Sequence, residues 1–360
     1  MQHTVYIGTY THSGGKGICR ATLSNEGVPN LIDVAEATSP SYLILSSEKK
    51  YVYAANEARE VDGIQGGAIT AFSVEADGSL KKVVTRSTGG GSPCHILEQG
   101  GYLFSADYDT GSITAFPLVN GVPGEAEFTH FHEGSGPDKG RQESPHAHCV
   151  MAVPEISASG SANAGSVGSA DASAKVFCAI DLGIDQAKFY RRDDHALTLV
   201  QALPFPGGSG PRHVVFSQCG RYGWVVTELS NEIYILRHDD NSKWAIINTI
   251  STLPPDYTGR SACAAIRLSR DGKLIAVSNR FHDSVAIFEI DAATGLLALL
   301  GIYPCGGANP RDIAFSPDDK WLLSANQDSD SVTVLSVEHG FKVVGCIADG
   351  ISKPTSILFG

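Results

Sequence analysis

Residues 210–239 read GPRHVVFSQCGRYGWVVTELSNEIYILRHD, and their punctuation decides the fold. Gly210-Pro211-Arg212-His213 opens onto an apolar run, VVF. A polar turn separates it from a second run, WVV, which stops abruptly at Thr227-Glu228. A short polar link leads into a third run, IYIL. Brief β-branched and aromatic runs bounded by turn residues predict strands joined by hairpins.

The same pattern recurs along the chain. Its second run appears as VYIGTY from Val5, YVYAANE from Tyr51, YLFSADY from Tyr102 and VFCAIDL from Val176. It continues as YGWVVTEL from Tyr222, LIAVSNR from Leu274 and WLLSANQ from Trp321. The seven copies are spaced by 46, 51, 74, 46, 52 and 47 residues. The long step contains a low-complexity stretch of small residues, 157–174, read as a loop insertion. Without it the step falls to 56 residues.

About ten residues before each run, insertion aside, a small residue or proline opens another strand: SPSYLIL, SPCHIL, SPHAHCV, GPRHVVF, SACAAIRL and NPRDIAF. The last such opening, KPTSILF, closes the chain. A third strand follows each run, as in GAITAF and DSVTVL, and then a more variable fourth. The repeat predicts an all-β fold, a seven-bladed β-propeller with four antiparallel strands per blade. The chain starts on a second strand and ends on a first. The C-terminal strand is therefore expected to join the N-terminal blade and close the ring, with residues 1–360 forming one domain.

The totals narrow the function. The 360 residues carry a formal net charge of −12, which disfavours a nucleic-acid surface. An anionic ligand would need a local basic pocket. Eight cysteines occur without CxxC spacing and read as reduced structural thiols, which suits a cytoplasmic protein. No signal peptide or membrane-length apolar run is apparent, so no membrane partner is expected.

In a propeller, the start of each first strand and the end of each second strand lie at one mouth of the channel. That geometry gathers His95, His146, His148, Arg212, His213 and Arg311 from strand starts. It gathers Asn56, Glu57, Asp107, Asp181, Glu228, Asn279, Arg280, Asn326 and Gln327 from strand ends. Many of these residue types also satisfy turn amides or fill a rim. His146 and His148, at i and i+2, are expected to point the same way on a strand. Glu228 and Arg280 stand apart, because a long charged side chain over a channel is costly unless paired or used.

The ordered set of motifs resembles the seven-bladed lactonase propellers, the bacterial 6-phosphogluconolactonase type, with carboxy-muconate cyclases as relatives. YIGTYTHSGGKGI, YVYAANE, RQESPHAH, IDLGIDQ, GPRHVVF, VVTELSNEIYIL, VSNRFHDSVAIF and NPRDIAFSPDDKWLLSANQDSDSV carry the resemblance. It implies catalytic roles for His148, Arg212, Glu228 and Arg280, with His148 preferred to His146 within their pair. The shared mouth makes His146, His213, Asp181, Arg311, Asn326 and Gln327 substrate-binding candidates. The resemblance implies hydrolysis of a small anionic lactone, most simply 6-phospho-D-glucono-1,5-lactone, by a monomer or homodimer. Either Glu228 or His148 would be the general base. No metal or cofactor is expected. The alternatives are a lactonase or cyclase for another carboxylated lactone, and a non-catalytic protein-binding propeller.

Overall fold

Both faces of a propeller blade are covered by its neighbours. That is why the inner strands of each blade are largely continuous apolar runs rather than alternating ones, while the outermost strands are more exposed. In the computed structural model, which describes residues 2–156, 176–193, 196–239 and 243–360, seven such sheets surround one axis. The insertion at 157–174 lies outside the described residues.

The innermost strands are Pro354–Phe359, Pro40–Leu45, Pro93–Gln99, Ala147–Ala152, Pro211–Phe216, Ala262–Leu268 and Pro310–Phe315, for blades one to seven. Each pairs antiparallel with the next strand outward. Blade one is closed as the sequence predicts. Pro354–Phe359 pairs with His3–Thr9, in a register that sets Ile7 against Ile357. Blade three departs from four strands. The short segment Val122–Pro123 folds back on the end of Ser112–Val119, whose main outer neighbour is Phe128–Phe131. Blade two carries a small extra hairpin, Glu60–Val61 with Ile64–Gln65, between its second and third strands.

The core lies between blades. Tyr6, Ile18, Val52 and Phe72 fill the seam of blades one and two. Phe104, Phe177 and Tyr190 fill that of three and four. Trp224, Val226, Ile266 and Phe288 fill that of five and six. Every seam holds a comparable cluster, and that of blades seven and one includes Val5, Leu323 and Ile357. All eight cysteine thiols are unpaired, and six are buried.

One irregularity repeats in every blade. Just inside the mouth, the ladder between the first and second strands slips. A residue left unpaired by such a bulge is re-aimed out of the sheet's alternation. The bulged residues are Thr355, Ser41, Cys94, His148, Arg212 and Arg311, with Ala264–Ala265 in blade six.

Candidate active site

The bulges build one ring of side chains around the axis. A second ring comes from the residue just past the Thr, Asn or Asp that stops each second apolar run: Tyr10, Glu57, Tyr108, Leu182, Glu228, Arg280 and Gln327. Outside blade six, the backbone N–H of each of these donates to the carbonyl just before the facing inner strand. Glu228 N–H donates to Gly210 O at 2.7 Å, and Glu57 N–H to Ser39 O at 3.0 Å. Five of these carbonyl residues, Ser39, Ser92, Gly210, Asn309 and Lys353, have left-handed φ. The backbone thus fixes where each second-ring side chain begins.

Glu228 is the hub. Its Oε2 accepts from Arg212 Nε at 3.0 Å and pairs with Arg280 Nη2 at 3.0 Å. Its Oε1 accepts from Arg141 Nη2 at 2.6 Å. The Nε2 of His148 lies 4.0 Å from Oε2. On the other side of that imidazole, Nδ1 is 3.6 Å from the Cys94 thiol. Three guanidiniums against one carboxylate leave the hub with excess positive charge.

These neighbours set the protonation states. Burial alone would raise the Glu228 pKa, but Arg280, Arg212, His148 and Arg141 reverse it, and the carboxyl sits well below the usual range. Burial, reinforced by Arg212, pushes His148 well below 6.5, so its imidazole is neutral at pH 7. Burial also draws Arg212 down to about 10 despite Glu228, which still leaves it cationic. Burial raises the Cys94 thiol well above 9, which removes it as a thiolate nucleophile at neutral pH.

A second cluster stands across the axis. Tyr10 donates its hydroxyl to Glu57 Oε2 at 2.7 Å, and Arg311 bonds the Tyr10 oxygen and lies 3.6 Å from Glu57. Arg212, Arg311, Glu57 and Cys94 line a cavity of about 10 Å³, room for roughly one water molecule. A floor closes the channel below. There Tyr42 stacks on His95 at 4.0 Å, His213 meets His95 edge-on, and Arg267 pairs with Asp312 at 2.6 Å. A sugar-sized ligand therefore has to sit above this floor, at the mouth.

The structure brings together His148, Arg212, Glu228, Arg280 and Arg311. His213 lies directly beneath them, its Nε2 3.2 Å from Arg212 Nη1. Gln327 occupies the second ring, its Oε1 buried and without a partner among the described residues. Two expected binding residues are turned away. The Asp181 carboxylate is spent on the fold: it accepts from the amides of His146 and Gly183 and meets His132 Nδ1 at 2.6 Å. Asn326 bonds Ser324 and Thr333 and is fully buried.

The paired reading of His146 and His148 also needs correction. The bulge between Ala147 and Cys149 breaks the i, i+2 alternation. His146 stacks on Tyr108 at 4.3 Å, bonds its carbonyl and approaches Glu143, whereas His148 enters the ring. Sequence reasoning missed Arg141, although it stands in the quoted RQESPHAH motif. It missed Tyr10 and Tyr108 as well, aromatic members of the second ring whose charged and amide members, Glu57, Glu228, Arg280 and Gln327, it did gather.

With that geometry in place, comparison with known proteins is direct. The family described as Lactonase, 7-bladed beta-propeller, matches residues 4–160 and 167–356. The chain belongs to this lactonase family. One relative, the 6-phosphogluconolactonase of Bacillus subtilis, is 31% identical over 338 residues, 91% of this chain and 89% of that one. The solved structure of the Pseudomonas aeruginosa periplasmic gluconolactonase is similar to this lactonase-family chain with a TM-score of 0.88 and 26% identity, covering 100% of this chain and 99% of that one. A Lactobacillus plantarum protein of known structure gives a TM-score of 0.86 at 26% identity, with both chains covered in full.

Proposed function

We propose that this protein hydrolyses a sugar lactone, with 6-phospho-D-glucono-1,5-lactone as substrate and 6-phosphogluconate as product. One observation carries the reading: the neutral His148 stands beside a carboxylate surrounded by three arginines, at the mouth of a lactonase-family propeller. An excess of guanidinium suits an anionic sugar, and the relative from B. subtilis bears the name of that activity.

Ester opening needs a base for water and a cation for the oxyanion. Glu228, so strongly neutralised, is a weak base, and we assign that role to His148. The water oxygen bonds the lactone carbonyl carbon as its proton passes to His148. Arg280 stabilises the oxyanion, since its Nη1 makes no bond among the described residues while Nε and Nη2 rest on Ala262, Cys263 and Glu228. The ring C–O bond then breaks, and His148 returns the proton to the leaving oxygen. Glu228 orients the water and supports the transient imidazolium. The scheme uses no metal or cofactor.

A second reading is favoured by the P. aeruginosa neighbour: an unphosphorylated aldonolactone as substrate. Eight unpaired thiols favour a reducing, cytoplasmic setting. Among the described residues no helix is long and apolar enough to cross a membrane.

The test is hydrolysis of freshly generated 6-phosphoglucono-1,5-lactone and of glucono-1,5-lactone, with chelator present and spontaneous opening subtracted. Chelator-resistant turnover that favours the phosphorylated lactone is expected. Preference for the unphosphorylated lactone would select the second reading. No turnover of either, or turnover abolished by chelator, would overturn the scheme.

A further inference from the structure

We propose that Arg141 selects the anionic substrate by leaving Glu228 for the substrate's phosphate, an inference that rests on the lactone-hydrolase reading above. The three arginines around Glu228 are not equivalent. Arg212 is buried, with Nη1 on the Ala264 carbonyl at 2.5 Å and Nε on Glu228. Arg280 lies over the carbonyls of Ala262 and Cys263. Both are pinned by backbone carbonyls as well as by Glu228, Arg212 by one on the neighbouring blade six and Arg280 by two on its own blade.

Arg141 comes from the loop between blades three and four, outside the repeat. Among the described residues its guanidinium has two hydrogen-bond partners, Glu228 Oε1 at 2.6 Å and the Tyr108 hydroxyl at 3.3 Å. Its side chain is 40% exposed, against 4% for Arg212 and 11% for Arg280. The backbone beneath it is anchored by the fully buried Gln142. Gln142 Nε2 donates to Leu182 O at 2.9 Å, Gln142 Oε1 accepts from Asp138 N–H at 3.2 Å, and its carbonyl accepts from Gly136 N–H at 2.9 Å. The side chain can therefore swing while the loop stays in place.

The swing has a chemical consequence. Arg212 and Arg280 occupy Oε2 of Glu228, so among the described residues Arg141 alone covers Oε1. A phosphate offers the planar guanidinium two oxygens at once, a better match than the single carboxylate oxygen it holds. Moving to the phosphate keeps Arg141 paired and uncovers Oε1, the oxygen that can accept from the attacking water. A lactone without an anionic group gives Arg141 no reason to leave. Selection and uncovering are then one hydrogen-bond exchange, with no covalent step.

The experiment compares wild type, Arg141→Ala and Arg141→Lys on the phosphorylated and unphosphorylated gluconolactones. The Ala variant should lose the phosphate preference, measured as the ratio of kcat/KM values, by about tenfold or more, mainly through KM. The Lys variant should recover part of it. The acidic limb of the Ala profile should also move to higher pH, because a guanidinium has been taken from beside Glu228. Equal losses on both lactones, or no change in the ratio, would overturn the proposal while leaving lactone hydrolysis intact. If wild type opens neither lactone, calorimetry with inorganic phosphate decides the role of Arg141. Binding weakened in the Ala variant supports it as the anion site; equal binding, or none in wild type, overturns it.

Discussion

In the proposed scheme Glu228 couples stability and activity in a single side chain. Breaking a buried ion cluster leaves charge unpaired, so Glu228→Gln should cost about 3 kcal/mol at pH 7, read by denaturant unfolding. It should also lower kcat/KM by about a hundredfold or more. The sign of the pH dependence follows from the depressed carboxyl. Its stabilisation is present above the unfolded value near 4.5 and drains away as pH falls toward the lower folded value. The stability gap between wild type and Glu228→Gln should therefore narrow below about pH 4.5. His148 gives an independent check. A base that stays neutral through pH 6.5 predicts a kcat/KM profile without a fall centred there; such a fall would remove His148 from the assignment.

At the scale of the strand and its turn, Gly210 is the position to change. Its φ of 59° is left-handed, but Ser39, Ser92, Asn309 and Lys353 accept similar values at equivalent places. What singles it out is space: a Cβ there would lie 2.5 Å from Leu229 Cγ. Its amide donates to Asp185 and its carbonyl accepts from Glu228 N–H. Gly210→Ala should cost about 1–2 kcal/mol and loosen the Arg212–Glu228 contact, so the melting temperature should fall and KM rise together. An alanine variant with unchanged melting and KM would show that Leu229 yields without disturbing the turn.

This scale also explains what the sequence revealed. The blades were legible because seam burial makes the inner strands continuous apolar runs, as in VVF and WVV. Glu228, Arg212 and Arg280 were legible because long charged side chains interrupt such runs. Asp181 and Asn326 were misread by one residue. The last paired residue of a second strand turns into its own blade, and the next one, Leu182 or Gln327, takes the ring position. Arg141 left no periodic trace, because a charged residue in a loop ordinarily needs no partner.

For the molecule as a whole, the decisive feature is closure by Pro354–Phe359. This strand bonds blade one, and it also reaches both neighbouring blades: Ile357 N–H donates to Asp312 Oδ2, and Ser356 Oγ accepts from Leu43 N–H. Removing residues 353–360 would open the ring and expose two seams at once. We expect the truncated chain to lose its cooperative thermal transition by calorimetry, while the intact chain unfolds in one step. Retention of a native-like transition after truncation would mean that the blades are stable without the ring.

The repeated bulge gives this protein an alphabet. Read around the axis from blade one, the inner ring spells Thr355, Ser41, Cys94, His148, Arg212, Ala264, Arg311. The outer ring spells Tyr10, Glu57, Tyr108, Leu182, Glu228, Arg280, Gln327. Each letter hangs from nearly the same backbone frame, so one letter can be respelled without rewriting the blade that displays it. Chemistry written this way is portable: the same word begun one blade later would place a similar site a seventh of a turn further round.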